Sequence, residues 1–150
     1  MINRVETLKR EHGQLRVLLR ACDTASPVEL PGLLRQLHDV FVPHQRAKDQ
    51  LYEAVVASRP DASTLTLLNI FRTNLSVMSN AVLGFLVNVD SDPERLGQRF
   101  RTVSNALRSL MDTEEKTVFP LCLRQSASPR PAQVIRFETL SSPPRRDGGR

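Results

Sequence analysis

A chain of 150 residues and 16.9 kDa is one domain's worth, long enough to remove about two-thirds of its unfolded surface from water and too short for a second catalytic domain. Hydrophobic residues make up 40% and charged residues 25%, and with 6 Gly, no Trp, one Tyr and 6 Phe the chain lacks the aromatic and turn residues that multi-stranded β folds use, so helices are expected. Of the net charge of +5, +3 lies from Ser126 onward, where five Arg face Glu138 and Asp147, so the body is nearly balanced and excludes a strongly basic nucleic-acid-binding core.

The N-terminal segment MINRVETLKREHGQ is charged from Arg4 onward and lacks the apolar core of a signal peptide, so a cytoplasmic protein is expected. Val5, Leu8, His12, Leu15, Leu19 and Cys22 recur at three- and four-residue steps, so a first helix is expected to about Asp23. Asp23-Thr-Ala-Ser-Pro27 breaks the chain, and Leu30, Leu34, Leu37, Phe41, His44, Lys48, Leu51 and Val55 mark a second helix over about Val28–Ser58, with a kink or opened turn expected at Pro43. After Arg59-Pro60, Asp61 or Ser63 can cap a third helix. Its seam is expected to use Leu67, Ile70, Phe71, Leu75, Val77, Met78, Val82, Phe85 and Leu86. Ala62–Val89 approaches the length of a membrane span, but Arg72, Asn69, Asn74, Asn80 and Asn88 interrupt it, so no membrane partner is expected. Asp92-Pro93-Glu94 then reads as an N-cap, first-turn proline and first-turn acid of a fourth helix carrying Leu96, Phe100, Val103, Leu107, Leu110, Glu114, Thr117 and Leu121.

Four helices joined by short breaks are most simply arranged as an up-down-up-down antiparallel bundle, an all-α fold over residues 1–125. Residues 126–150 form a separate Pro-, Ser- and Arg-rich tail with the composition of disorder. Within it, Gln133–Leu140 alternates like a strand that could pair with a partner, and Arg130, Arg136, Arg145 and Arg146 can attract nucleic acid or another anion. Two cysteines, Cys22 and Cys122, fall at opposite ends of the bundle and are expected to stay reduced. His38 lies off the seam and is expected to face solvent, and the Arg95, Arg99, Arg101 and Arg108 series is expected to be a solvated face balanced by Asp112 and Glu115.

Polar residues interrupt the apolar seams at comparable heights: His12 in the first helix, His44 and Lys48 in the second, Asn74 in the third and Glu114 in the fourth. Buried polar groups must find partners, so their convergence points to an internal site.

Around these positions the chain resembles the hemerythrin-like (HHE cation-binding) four-helix bundles. The resemblance covers residues 2 to 123 and rests on Glu11-His12, on Phe41-Val-Pro-His44 followed by Leu51-Tyr52, and on Glu114-Glu115-Lys-Thr-Val-Phe119-Pro120. It implies a pair of oxygen-bridged iron ions held by a His on the first helix, His-x-x-x-Glu on the second, a His on the third and His-x-x-x-Glu on the fourth. At those positions this chain has His12, His44 with Lys48, Asn74, and Leu110 with Glu114. An ammonium offers no lone pair and repels a cation, so Lys48 argues against the two-iron site.

The expectation is therefore a bundle without catalysis or cofactor, serving as a regulatory or protein-interaction module, with a protein partner or a second copy as its target. Lys48 then pairs with Glu114, while His12, His44 and Asn74 hydrogen-bond in the former metal layer. An alternative keeps His12, His44 and Glu114 as ligands of iron, zinc or manganese in a sensor of oxygen, nitric oxide or metal ions. A third makes Lys48 a reactive lysine of depressed pKa.

Overall fold

The structure is a computed structural model that describes residues 1–127, the last three by backbone only. The expected 126–150 tail beyond Ala127, with Gln133–Leu140, Arg130, Arg136, Arg145 and Arg146, lies outside the described residues. The chain forms α1 (Ile2–Asp23), α2 (Leu30–Ala57) and α3 (Ala62–Val87), then two short 3₁₀ turns, Val89–Ser91 and Pro93–Arg95. The last helix has three parts: α4 (Leu96–Thr113), a π-helical turn (Glu114–Val118) and α5 (Phe119–Ala127). Short links make sequential helices neighbours: α1 packs on α2, α2 on α3 and α3 on α4, and α4 returns to α1. This is the expected antiparallel four-helix bundle.

The seam of α1 is as expected, with Val5, Leu8, His12, Leu15, Leu19 and Cys22 all buried. In α2 the buried set is likewise Leu30, Leu34, Leu37, Phe41, His44, Lys48, Leu51 and Val55, with Tyr52 added. Pro43 does not interrupt α2. It sits on the exposed side of the helix, away from the core. Cys22 and Cys122 are both free and buried, as expected.

Three local expectations are corrected. First, the inward face of α3 matches the expected stripe only in part: Leu75, Val82, Phe85 and Leu86 are buried and Phe71 and Met78 partly so, but Thr64, Leu68 and Ser79 complete the buried face. Leu67, Ile70 and Val77, expected in the core, are 46%, 51% and 68% exposed. Asp61 provides the N-cap, its carboxylate accepting from Thr64 N–H at 2.7 Å. Second, Asp92 makes no side-chain cap, because residues 93–95 form a 3₁₀ turn before α4 begins at Leu96. Third, the fourth helix does not keep one α-helical period. Phe119 N–H bonds to Glu114 C=O five residues back, and this wider turn makes Val118 and Phe119 the next inward positions while Thr117 is exposed. Within α4, Ser104 is buried and Val103 only partly so.

Candidate functional site

Halfway along the bundle, α1, α2 and the π turn bring His12, His44, Lys48 and Glu114 together with no more than 4% of any residue exposed. Each comes from a seam position, so the same periodicity that builds the core delivers polar groups to one layer. Glu114 is the hub. Its Oε1 accepts from Lys48 Nζ at 2.5 Å and its Oε2 lies 2.9 Å from His12 Nε2. The other nitrogen of His12, Nδ1, lies 2.8 Å from Glu115 Oε1. Carboxylates only accept, so both contacts are hydrogen bonds when both ring nitrogens carry protons. The His44 ring lies tilted by 56° beside His12, at 4.9 Å between ring centroids, and directs Nδ1 to Glu11 Oε2 at 2.6 Å.

The rim completes the network. Arg16 donates to both oxygens of Glu115, at 2.8 and 3.1 Å, and to Asp112 at 3.1 Å. Arg16 has no sequence signal, and the Glu11-His12 and Glu114-Glu115 motifs do not by themselves assign Glu11 and Glu115 to the histidines. Glu115 in particular is corrected, since it bridges His12 and Arg16 instead of merely balancing a solvated face. The dipeptides Glu11-His12 and Glu114-Glu115 were the available signal, because a rim carboxylate beside a buried group is its natural partner.

Burial by itself raises the Glu114 carboxyl, but the hydrogen bond from His12 and the charge of Lys48 outweigh it and hold the group below the usual carboxylate range. Glu115 is lowered in the same way, burial being overcome by Arg16 and then His12. Burial pushes His44 down to about 4, helped by the Lys48 and His12 charges and opposed by Glu11. At neutral pH His44 is thus uncharged, its Nδ1–H donated to Glu11 and its Nε2 the nitrogen left with a lone pair.

Of the remaining positions of the expected layer, Leu110 stands as read and Asn74 is corrected. Leu110 is buried one turn before Glu114 and contributes only hydrocarbon. Asn74 is not in the layer. It is exposed on the outer face of α3, beside Thr66, Asn69, Ile70 and Thr73, because the inward face of that helix is shifted by one residue to Leu75. His38 is half-buried and contacts Asp39 at 3.3 Å. Two arginines of α4 reach neighbouring helices, Arg108 donating to Asp23 at 2.7 Å and Arg99 lying over the Phe85 ring at 5.3 Å.

Three potential metal donors survive. Ligand atoms of His12, His44 and Glu114 lie within 4.8 Å of one another. The 2.9 Å between His12 Nε2 and Glu114 Oε2 is close to the separation of two ligands on one ion, about 3.0–3.5 Å for bonds of about 2.1 Å. Three donors suit a single ion with open positions and do not suit a pair, given a lysine at the fourth position and leucines at Leu75 and Leu110.

A four-helix bundle with histidines and carboxylates converging at its middle defines a class of cation-binding helical domains. The model of the hemerythrin HHE cation-binding domain matches residues 3–122, most of the chain, and the protein belongs to that family. No curated protein and no solved structure matches it.

Proposed function

We propose that this chain is a non-catalytic regulatory or protein-interaction module in which a buried ionic network takes the place of the family's pair of iron ions. The observation that carries this reading is Lys48 Nζ on Glu114 Oε1 at 2.5 Å, with His12 on the other oxygen and all three side chains buried. The ammonium supplies at the bundle centre the positive charge that a cation would otherwise bring, and both oxygens of the carboxylate are occupied. The two buried free thiols agree with a reducing compartment, and we place the protein in the cytoplasm.

The partner surface in this reading is the outer face of α3, and its occupant is a second copy of the chain. Leu67, Ile70, Asn74, Val77, Ala81 and Gly84 are all exposed and follow three- and four-residue steps, the spacing of a coiled-coil seam. Asn74 lies centrally in that row, as the polar residue that sets register in two-helix seams does. α3 is also long and apolar enough to cross a membrane, but the polar Asn69, Arg72, Asn74 and Asn80 favour a protein partner. Sedimentation is expected to give a dimer, with Val77→Asp giving a monomer of unchanged helicity. A monomeric wild-type chain would remove this interface.

The second reading, a metal-dependent sensor, rests on the His12, His44 and Glu114 cluster. It requires His12 Nε2 to lose its proton and Lys48 to leave Glu114, whereupon one iron, zinc or manganese ion would supply an open coordination site. Elemental analysis after expression with all three metals separates the two. Metal at background is expected. Near one ion per chain, lost in His44→Ala, would replace the first reading by the second, and two ions with an oxo-bridge absorption would refute the loss of the iron pair.

A further inference from the structure

Between α2 and α3 lies a cavity of about 190 Å³ that Lys48 lines and His12 does not. We propose that it binds a small organic carboxylate. Lys48 lies at its floor, and Asp49, Arg72, Ser76 and Asn80, all at least partly exposed, form its mouth. The volume exceeds the roughly 150 Å³ of a cavity that accommodates benzene, so a ligand of about six to eight heavy atoms fits.

Two buried donors call for acceptors. Lys48 is 4% exposed and carries three N–H protons, of which Glu114 takes one, leaving the rest for acceptors on the cavity side. Gln45 also lines the cavity, and its Nε2 is buried with no hydrogen-bond partner. A buried amide and a buried ammonium are poorly served by apolar neighbours, and the two oxygens of a carboxylate answer both with charge-assisted bonds. Leu75 and Leu83 supply hydrocarbon wall for an organic body.

The charge balance selects among anions. Lys48 is offset by Glu114, and Arg72 stands 3.6 Å from Asp49 while stacking over the Tyr52 ring at 5.4 Å. A dianion such as phosphate would bring two charges to a cavity whose cations are already paired and would meet Asp49 at the mouth. A monoanion brings one, compensated by the unused donors. Cations are disfavoured by the ammonium at the floor.

The site goes beyond the function proposed above and rests on it only for the position of Lys48. The test is titration of the ¹⁵N-labelled full chain with sodium benzoate, sodium butyrate and, separately, inorganic phosphate, followed by amide chemical shifts. The expected result is saturable shifts centred on Gln45, Arg72, Ser76 and Ser79 with at least one carboxylate. Ser79→Leu, which fills the cavity from the α3 wall and keeps both Lys48 and Glu114, should lower affinity at least tenfold. If that variant does not fold, Ser76→Phe at the exposed mouth tests the same blockage. Absence of saturable shifts with both carboxylates, tighter binding of phosphate, shifts centred elsewhere, or unchanged affinity in a folded blocking variant would each overturn the proposal. Metal analysis of the same sample keeps the two readings apart. A metal-free sample without shifts overturns the cavity site alone, and a metal-bearing sample that binds carboxylate there overturns the metal-free reading alone.

Discussion

Lys48 shows how much one side chain can change a buried site. At its position a carboxylate would add negative charge to Glu114 and invite a cation, whereas the ammonium meets Glu114 at 2.5 Å inside the bundle. Such a pair contributes little compared with well-packed hydrocarbon, yet losing one partner strands the other in a poorly solvated interior. Lys48→Met, which keeps length and removes charge, is therefore expected to cost about 3–5 kcal/mol in urea unfolding. Lys48→Met combined with Glu114→Gln should recover much of that loss. A single-variant loss under about 1 kcal/mol, or no recovery in the double variant, would show that the pair is not held as described. His12, His44, Lys48 and Glu114 were legible in the sequence because each replaces an apolar residue on a seam. Arg16, and the part that Glu11 and Glu115 play, were not, because rim residues occupy charged faces whose spacing is that of ordinary solvated helix.

At the level of elements, α3 is where sequence reading lost its bearings. Arg72 is its only charged residue, and apolar side chains surround it, so periodicity offers little contrast to fix which face turns inward. The expected stripe mixed two faces and carried Asn74 into the site; the structure instead buries Leu68, 1% exposed, and leaves Leu67 46% exposed. Truncating these adjacent leucines tests the assignment directly. Leu68→Ala is expected to cost about 2–5 kcal/mol, as cavity-forming core changes do. Leu67→Ala should cost well under about 1 kcal/mol in the monomeric Val77→Asp background, and a reversed order would mean that α3 is rotated. The π turn at Glu114–Val118 was also invisible beforehand, since no residue in Glu-Glu-Lys-Thr-Val demands it. It begins at the two consecutive carboxylates that meet the two ring nitrogens of His12.

For the whole molecule, the buried network makes stability depend on pH in a definite direction. His44 has a folded pKa near 4, below its ordinary 6.5. Between those values the unfolded chain binds a proton that the folded chain refuses, so stability falls as pH is lowered from about 6.5 to about 4. The full shift corresponds to a loss on the order of 3 kcal/mol. Glu114 and Glu115, both lowered on folding, contribute stability above their unfolded values that is lost as pH falls through their folded ones. Urea midpoints measured from pH 7 to pH 4 should thus decline, and His44→Gln should flatten the upper part of that decline. Midpoints that hold steady or rise over this interval would contradict a neutral, buried His44.

The sequence by itself determined the helices, nearly to their ends, because proline, capping residues and three-to-four periodicity are local signals that act through a few neighbouring residues. It also determined the family, and it brought His12, His44, Lys48 and Glu114 into one expected layer, because amphipathic seams in a four-helix bundle have only one interior to face. The tertiary structure alone decided the rotation of α3, the carboxylate that each histidine meets, the reach of Arg16 across to Glu115 and the space left beside Lys48. Those features depend on how two helices far apart in sequence set their relative height and rotation, and packing energy shared among many side chains, not any local code, settles that choice.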